Sequence, residues 1–368
     1  MKILELISIP TLTGAAAPML NLSRRLKQAG CELDIYIDQY RPHNLHGILS
    51  AEGLTPCEGL YLSTIAPPQK NIADLLNLKR IIRDGKYDLI LCHLSHDHAL
   101  SALARSICGR KLPIVRCLHS ERSLIIRPLQ KLLWRHSDAV ITHSQSLALA
   151  LSERFSYPAE RILYLPAEVD IERFKPPTAE EKAACRSSFG FLQEDFVLGY
   201  VARIKPGRRH VELLNAFAAC RDTLPRMRLL VIGDGESLAD LKKLALDQGV
   251  SNRIIFTGFI DDKLPQAYMA MDAYIQMAVG NDASCRAVLE AMACGIPVWT
   301  VPEAAISDCC KKINDDGIKT ALGDIYNDDV ERGNLARCYV EEKHSGSESP
   351  AILNAFLETL LYSAKSST

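Results

Sequence analysis

The sequence predicts an α/β protein built from two doubly wound, parallel-sheet domains. Three observations carry that expectation. Short apolar runs alternate with amphipathic segments along most of the chain. The alternation breaks once near the middle and then restarts. The length, 368 residues, suits two separate hydrophobic cores.

In the first half the strand-like runs are residues 2–8 (KILELIS), 32–37, 88–93, 113–118, 139–144 and 161–166. Helix-like segments fall between them at 16–29, 72–84, 98–108, 126–136 and 147–155. Residues 38–69, rich in Pro and Gly, read as a long irregular connection that borders a ligand cleft. The stretch from 166 to 194 is polar, contains Pro176 and Pro177 in succession and keeps no period, so it reads as an interdomain linker. The second half has strand-like runs at 197–204, 228–235, 253–259, 273–278 and 297–301, with helices at 212–220, 237–248, 263–271 and 284–294. Beyond about residue 302 the pattern weakens, and a last helix at 351–364 closes the chain. The expected division is 1–170 as an N-terminal, acceptor-side domain, 171–195 as linker, 196–350 as a second domain that binds the donor, and 351–368 as a terminal helix free to cross back to the first.

Bulk properties exclude several classes. Hydrophobic content of 48%, charged content of 24% and a formal net charge of -1 are those of an ordinary globular protein with no pull toward nucleic acid. The twelve cysteines form no C-x-x-C pair and no zinc spacing, which reads as a reduced, cytoplasmic protein. Glu5 breaks the first apolar run, so no signal peptide is expected. No run approaches the roughly 20 apolar residues that span a bilayer.

In doubly wound sheets ligands sit outside the C-terminal ends of the strands, so residues just after strands are the candidates, around one cleft between the two domains. Gly14 and Ala15, within TLTGAAA, allow close backbone approach to a ligand or simply make a tight turn. The absence of G-x-G-x-x-G there argues against a nicotinamide or flavin site. Arg203 and the following KPGRRH bring Lys205, Arg208, Arg209 and His210 to a strand end, where guanidinium groups suit phosphate. His119 follows a strand and can orient a hydroxyl or share a proton. HLSHDH supplies His93, His96 and His98 without strict ligand spacing, so no metal site is expected.

The stretch 280–300, GNDASCRAVLEAMACGIPVWT, is the most informative. Ser284 can cap a helix that Gly295 ends, and that helix is apolar nearly all round yet carries Arg286 and Glu290. A carboxylate on a buried helix needs a partner. Either Glu290 pairs with Arg286 one turn away, or it accepts hydrogen bonds from ligand hydroxyls while the helix N-terminus faces an anion.

Three segments taken together resemble the GT-B-fold retaining glycosyltransferases of family four: 141–176, 199–217 and 280–298. The resemblance implies two Rossmann-like domains facing a cleft and transfer of a sugar from a nucleotide-diphosphate sugar to a hydroxyl acceptor. The acceptor type it implies is a glycan or lipid-linked intermediate of cell-envelope polysaccharide or lipopolysaccharide synthesis. In that family an acid, seven residues and a glutamate mark the nucleotide-sugar site, here Asp282 and Glu290. Glu290 would hold the ribose and Asp282 the donor sugar, while amides near Ala283, Ser284, Cys285 and Arg286 meet the diphosphate. Arg203 matches the family's arginine, and Arg208 or Arg209 replaces its usual lysine. His119 would contact the transferred sugar, Gly233 would approach the donor, and Phe259 and Ile260 would hold the base. The resemblance implies no cofactor and no metal, with a UDP-, GDP- or ADP-linked donor as substrate. Two departures stand out. The first acid is Asp instead of Glu, and VPEAAISDCCKK replaces the usual Gly-rich segment after PVWT.

Rival readings are a sugar-nucleotide 2-epimerase of the same fold and a catalytically silent binding partner of another transferase. Residues 122–136, with Arg122, Arg127, Lys131, Trp134 and Arg135, form a basic amphipathic stretch. It reads either as an ordinary surface helix or as a peripheral contact with the inner face of the plasma membrane.

Overall fold

In the computed structural model the described residues are 1–11, 15–42, 44–125, 128–278, 286–301, 309–313, 317–327, 331–346 and 349–366. The chain forms two compact units, one of Met1–Pro166 with Ser347–Thr368, the other of Ala167–Gly346.

Unit 1 begins with β1 (Lys2–Ile7), α1 (Ala16–Gln28), β2 (Glu32–Ile37), α2 (Leu45–Ala51), α3 (Pro68–Asp84) and β3 (Leu89–Cys92). It continues with α4 (Ser95–Cys108), β4 (Ile114–Leu118), α5 (Pro128–Trp134), β5 (Ala139–Thr142), α6 (Gln145–Phe155) and β6 (Ile162–Tyr164). Its six strands form one sheet in the order β2-β1-β3-β4-β5-β6, every pair parallel. Strands in such a sheet are covered on both faces, which is why β3, β4 and β5 are buried at every position. Alternate residues serve opposite cores. Leu4, Leu6, Ile90 and Ile114 meet Leu78, Ile82 and Leu100 of α3 and α4. Ile3, Leu89, Leu91 and Val115 meet Leu22 and Leu26 of α1.

Unit 2 runs α7 (Ala179–Phe189), β7 (Phe196–Val201), α8 (His210–Ala219), β8 (Met227–Ile232), α9 (Leu238–Asp247), β9 (Ile254–Gly258) and α10 (Leu264–Met269). Then come β10 (Ala273–Gln276), α11 (Arg286–Ala293), β11 (Val298–Thr300), β12 (Lys311–Lys312), α12 (Ile318–Tyr326) and α13 (Glu331–Lys343). The sheet order is β12-β11-β10-β7-β8-β9, again wholly parallel. The final helix, α14 (Ser349–Ser366), belongs to unit 1, where Leu353 and Leu357 are buried beside Leu22 and Leu26. Each such leucine contributes about 1.5–3 kcal/mol.

The structure corrects several expectations. Residues 171–195 are not a linker but part of unit 2. Thr178 and Glu181 close a capping box at the start of α7, Arg186 pairs with Asp272, and Phe174 and Phe191 enter the core. The signal was present as T-x-x-E and was masked by the polar composition around it. Residues 38–69 are not wholly irregular, because α2 buries Leu45 and Leu49 there. Of the expected helix at 126–136, the described part is Pro128–Trp134, ending two residues early, and residues 126 and 127 lie outside the described residues. Beyond 302 the chain is more regular than its pattern: α12 buries Ala321, Leu322 and Ile325, and α13 buries Ala336 and Val340. Helix α13 approaches the end of α11 so closely that a Cβ on Gly333 would lie 1.9 Å from the Gly295 carbonyl oxygen. Backbone contact replaces the apolar stripe that a sequence reading looks for.

Candidate functional site

In unit 2 the strand β7 lies between β10 and β8, so the order reverses at β7 and β10. The loops that follow these two strands flank the switch point, where a doubly wound sheet takes its ligand. They are the two segments singled out above. Asp282, Ala283, Ser284 and Cys285, which follow β10, lie outside the described residues, as does Gly14 in unit 1.

After β7, Arg203 is exposed and Arg208 half-buried. Among the described residues neither guanidinium has a hydrogen-bond or ion-pair partner, although the backbone carbonyl of Arg208 accepts from the Tyr200 hydroxyl at 2.6 Å. Arg209 differs. Its backbone is left-handed (φ 59°) at the start of α8, and its side chain pairs with Glu212 at 2.6 Å. His210 leaves the expected cation cluster altogether. It is buried against the Tyr200 ring at 4.7 Å between centroids, with both ring nitrogens unpartnered, and burial assisted by Arg208 brings it down to about 4. It is a neutral packing residue.

After β8, Gly233 has φ +139°, and a Cβ there would lie 2.1 Å from the Ala202 carbonyl oxygen. Only glycine allows the loop after β8 to touch the loop after β7. After β9, Phe259 is 79% exposed, the most exposed large apolar side chain of the described residues, and Ile260 is half-buried.

Glu290 is 3% exposed on α11. One carboxylate oxygen accepts from Arg286 Nε at 2.8 Å, the other from the Tyr268 hydroxyl at 2.9 Å. The ion pair with Arg286, the first of the two alternatives posed for this residue, is therefore present. Burial raises the Glu290 carboxyl, against the lowering effect of Arg286 and Tyr268. Each oxygen retains a second lone pair, so the protein contacts do not exhaust its capacity to accept.

In unit 1 the order reverses between β1 and β3, whose following loops carry Ala15 and His93. Ala15 is buried at the entry to α1, packed in the core with Ile7 and Met19. The loop after β3 is fixed by Asp97, whose carboxylate accepts from Ser8 Oγ at 2.6 Å and from the amides of His93 and Leu94 at 2.9 and 2.8 Å. Along the strand ends on the α1 face stand Glu5, His93, Cys117, His119 and His143. His119 is partly exposed, and its Nε2 lies 3.1 Å from His93 Nδ1. His93 Nε2 lies 2.8 Å from Glu5 Oε1, and Ser23 Oγ donates to both Glu5 oxygens at 2.9 Å. Glu5 and His93 are both wholly buried.

Sequence reasoning misses this chain. The signal was Glu5 itself: a charged residue inside a strand covered on both faces demands a buried partner. His93 stands out in the sequence only for its spacing to His96 and His98, which do not share a site with it. His98 is buried beside Trp134, bonded to Ser137 at 3.1 Å, and burial takes it down to about 3. Ligand-type atoms of His93, Cys117 and His119 do lie within 4.8 Å of one another. The two imidazoles, however, are nearly coplanar (7°), and their centroid separation of 5.4 Å is the 3.1 Å nitrogen gap plus the two ring radii. The nitrogens face each other head-on. That alignment suits a shared proton, whereas a metal needs lone pairs that converge on a point off the line.

Among the described residues no helix is long and apolar enough to cross a membrane. In α5 the expected amphipathic face is incomplete, because Trp134 is 3% exposed and packs on Phe155 and Tyr157.

Comparison with known proteins agrees with this layout. The family model described as glycosyl transferases group 1 matches residues 181–313, and that described as Glycosyltransferase Family 4 matches residues 12–173. A 2-deoxystreptamine glucosyltransferase of Streptomyces kanamyceticus is 27% identical over 262 residues, 66% of this chain and 66% of that protein. A GDP-mannose-dependent alpha-(1-6)-phosphatidylinositol monomannoside mannosyltransferase of Mycolicibacterium smegmatis is 29% identical over 288 residues, 72% of this chain and 74% of that one. Matches to the first curated relatives span 53%, 66% and 58% of those proteins' lengths. The crystal structure of Anabaena Alr3699/HepE in complex with UDP superposes with a TM-score of 0.80 at 19% identity, over 98% of this chain and 100% of that one. The fold is GT-B, and the chain belongs to the group 1, family 4 glycosyltransferases.

Proposed function

We propose that the protein transfers a sugar from a nucleoside-diphosphate sugar to a hydroxyl acceptor, with retention of anomeric configuration and without a metal or other cofactor. The observation that carries this reading is the pair of guanidinium groups, Arg203 and Arg208, unpartnered among the described residues beside the switch point of unit 2. Transfer builds negative charge on the departing nucleotide, and fixed cations stabilise it without reorganisation. Glu290 offers its remaining lone pairs to the ribose, Phe259 and Ile260 meet the base, and His119 contacts the transferred sugar. Asp282 and the amides of 283–286 complete the donor contacts. The relatives' printed activities support a glycan or lipid-linked acceptor, one of them naming a phosphatidylinositol mannoside. Peripheral contact with anionic lipid through residues 122–136 rests on the exposed Arg122, Ile125, Lys131, Leu132 and Arg135, without Trp134.

The test is product analysis by NMR with UDP-, GDP- and ADP-sugars, with and without lipid-linked and glycan acceptors. An α-linked product from an α-linked donor supports the reading, and an inverted linkage overturns retention. Sugar-nucleotide conversion without acceptor points to the epimerase. One observation favours a second reading, a silent partner of another transferase: both Glu290 oxygens already hold protein donors. Donor binding without turnover under every acceptor would support that alternative.

A further inference from the structure

Glu5, buried at the level of the sheet, has one cationic partner among the described residues, His93. Taking an ionised carboxylate out of water is costly, and His93 is the one cation-forming side chain bonded to Glu5 among the described residues. The charge-compensated state of the Glu5–His93 pair is therefore the one with one more proton than a carboxylate beside a neutral imidazole. That extra proton has two homes open to it, and both give the same outcome. If His93 is the imidazolium, Nε2–H donates to Glu5 and Nδ1–H points at His119. If the carboxyl holds it, the acid donates to Nε2 and His93 keeps its own proton on Nδ1. Either way His93 presents a donor to His119 Nε2 at 3.1 Å, in line and nearly coplanar. His119 must then accept at Nε2 and carry its proton on Nδ1. No partner for Nδ1 is found among the described residues, and His119 as a residue is partly exposed.

We propose that Glu5 and His93 are positioning residues that lock His119 as the Nδ1–H tautomer, so that it presents a hydrogen-bond donor to an oxygen of the bound ligand. This rests on the transferase reading for the identity of that ligand, a sugar hydroxyl, but the tautomer itself does not. Two electrostatic effects agree with the geometry. For His93 burial opposes charge, yet Cys117 and Glu5 outweigh it and push the imidazolium up to about 10. For His119 burial, then His93 and His143, hold the ring well below its ordinary value and therefore neutral. A neutral ring with a fixed tautomer separates donors from acceptors on the ligand by placing one N–H where a lone pair would otherwise compete.

The test is long-range 1H–15N correlation on full-length protein labelled with 15N-histidine, His119 being assigned from the signals lost in His119→Asn. The expected wild-type pattern is a protonated Nδ1 and a bare Nε2. A protonated Nε2 in the wild type overturns the proposal, whatever the variants do. In His93→Leu the tautomer lock is expected to be lost and kcat to fall on the order of tenfold or more, with KM changing less. In His93→Asn, whose amide nitrogen takes the place of Nδ1, both should largely return. Equal behaviour of the Leu and Asn variants overturns the positioning role. A locked tautomer with turnover unaltered in His93→Leu instead overturns the link from His119 to the sugar, and with it that part of the transferase reading.

Discussion

Replacing Glu290 by Gln separates the ligand role of this carboxylate from its structural one. The Gln side chain keeps an oxygen for the Tyr268 hydroxyl, which has a second acceptor in the Ala287 carbonyl at 3.1 Å. What is lost is the ion pair with Arg286, whose side chain is 53% exposed and regains water. Such a half-exposed pair is worth about 0–1 kcal/mol, and removal of a buried charge offsets part of it. The net change in unfolding free energy at neutral pH should therefore be within about 1 kcal/mol of zero. Turnover should fall at least about tenfold, equivalent to about 1.4 kcal/mol of transition-state stabilisation. The stability comparison also has a pH signature. A carboxyl raised by burial binds its proton more tightly in the folded state. The wild type therefore gains stability relative to the variant below the ordinary carboxyl value of 4.5, and loses that gain as pH rises through the folded value. Urea titrations of both proteins between acid and neutral pH, with a donor-turnover assay, measure all three effects. A Gln variant that loses several kcal/mol would make the carboxylate a structural strut. One with unchanged turnover would remove it from the ligand.

Three other outcomes follow from the same geometry. Arg203→Ala should lower turnover at least about tenfold, whereas Arg209→Ala, whose group is already paired with Glu212, should change it less than about threefold; steady-state kinetics compares the two directly. Acid should destabilise the fold as pH drops from about 6.5, because burial depresses His98, His143 and His210, and each must gain a proton on unfolding. His210→Phe, which removes two unpartnered ring nitrogens, should flatten part of that dependence and leave stability equal or higher, as read from urea midpoints against pH. Gly333→Ala should cost about 1–3 kcal/mol, since its Cβ has no space against the Gly295 carbonyl; thermal unfolding would show it.

Much of the fold was legible because parallel strands buried on both faces write themselves as continuous apolar runs, as in β3 (LILC) and β10 (AYIQ). The strand ends of β7 and β10 were legible for the same reason, and a strand end of a doubly wound sheet is where a candidate loop is sought. Helix α7 was not, because it is held through buried Cys185 and Arg186 while Phe174 and Phe191 enter the core from outside the helix, which leaves no apolar stripe on it. Helix α13 was missed because a glycine contact holds it. In one dimension Glu5 signals only that a partner is needed. The members of the Glu5–His93–His119 chain come from β1 and from just after β3 and β4, and only the sheet order brings residues 5, 93 and 119 together. Arg209 and His210 show the converse. Sequence proximity made them part of one cationic cluster with Arg203 and Arg208, while a left-handed backbone turn and a buried ring remove them from it.

The claim that unit 2 binds a nucleoside diphosphate through the cations after β7 is tested most directly by calorimetric titration of UDP, GDP and ADP into the full-length protein and into Arg203→Ala. Saturable binding of one nucleotide to the wild type, weakened at least about tenfold in the variant, is the predicted result, equal to about 1.4 kcal/mol of binding free energy. Equal affinity in the two proteins, or no heat of binding from any of the three nucleotides, would contradict it.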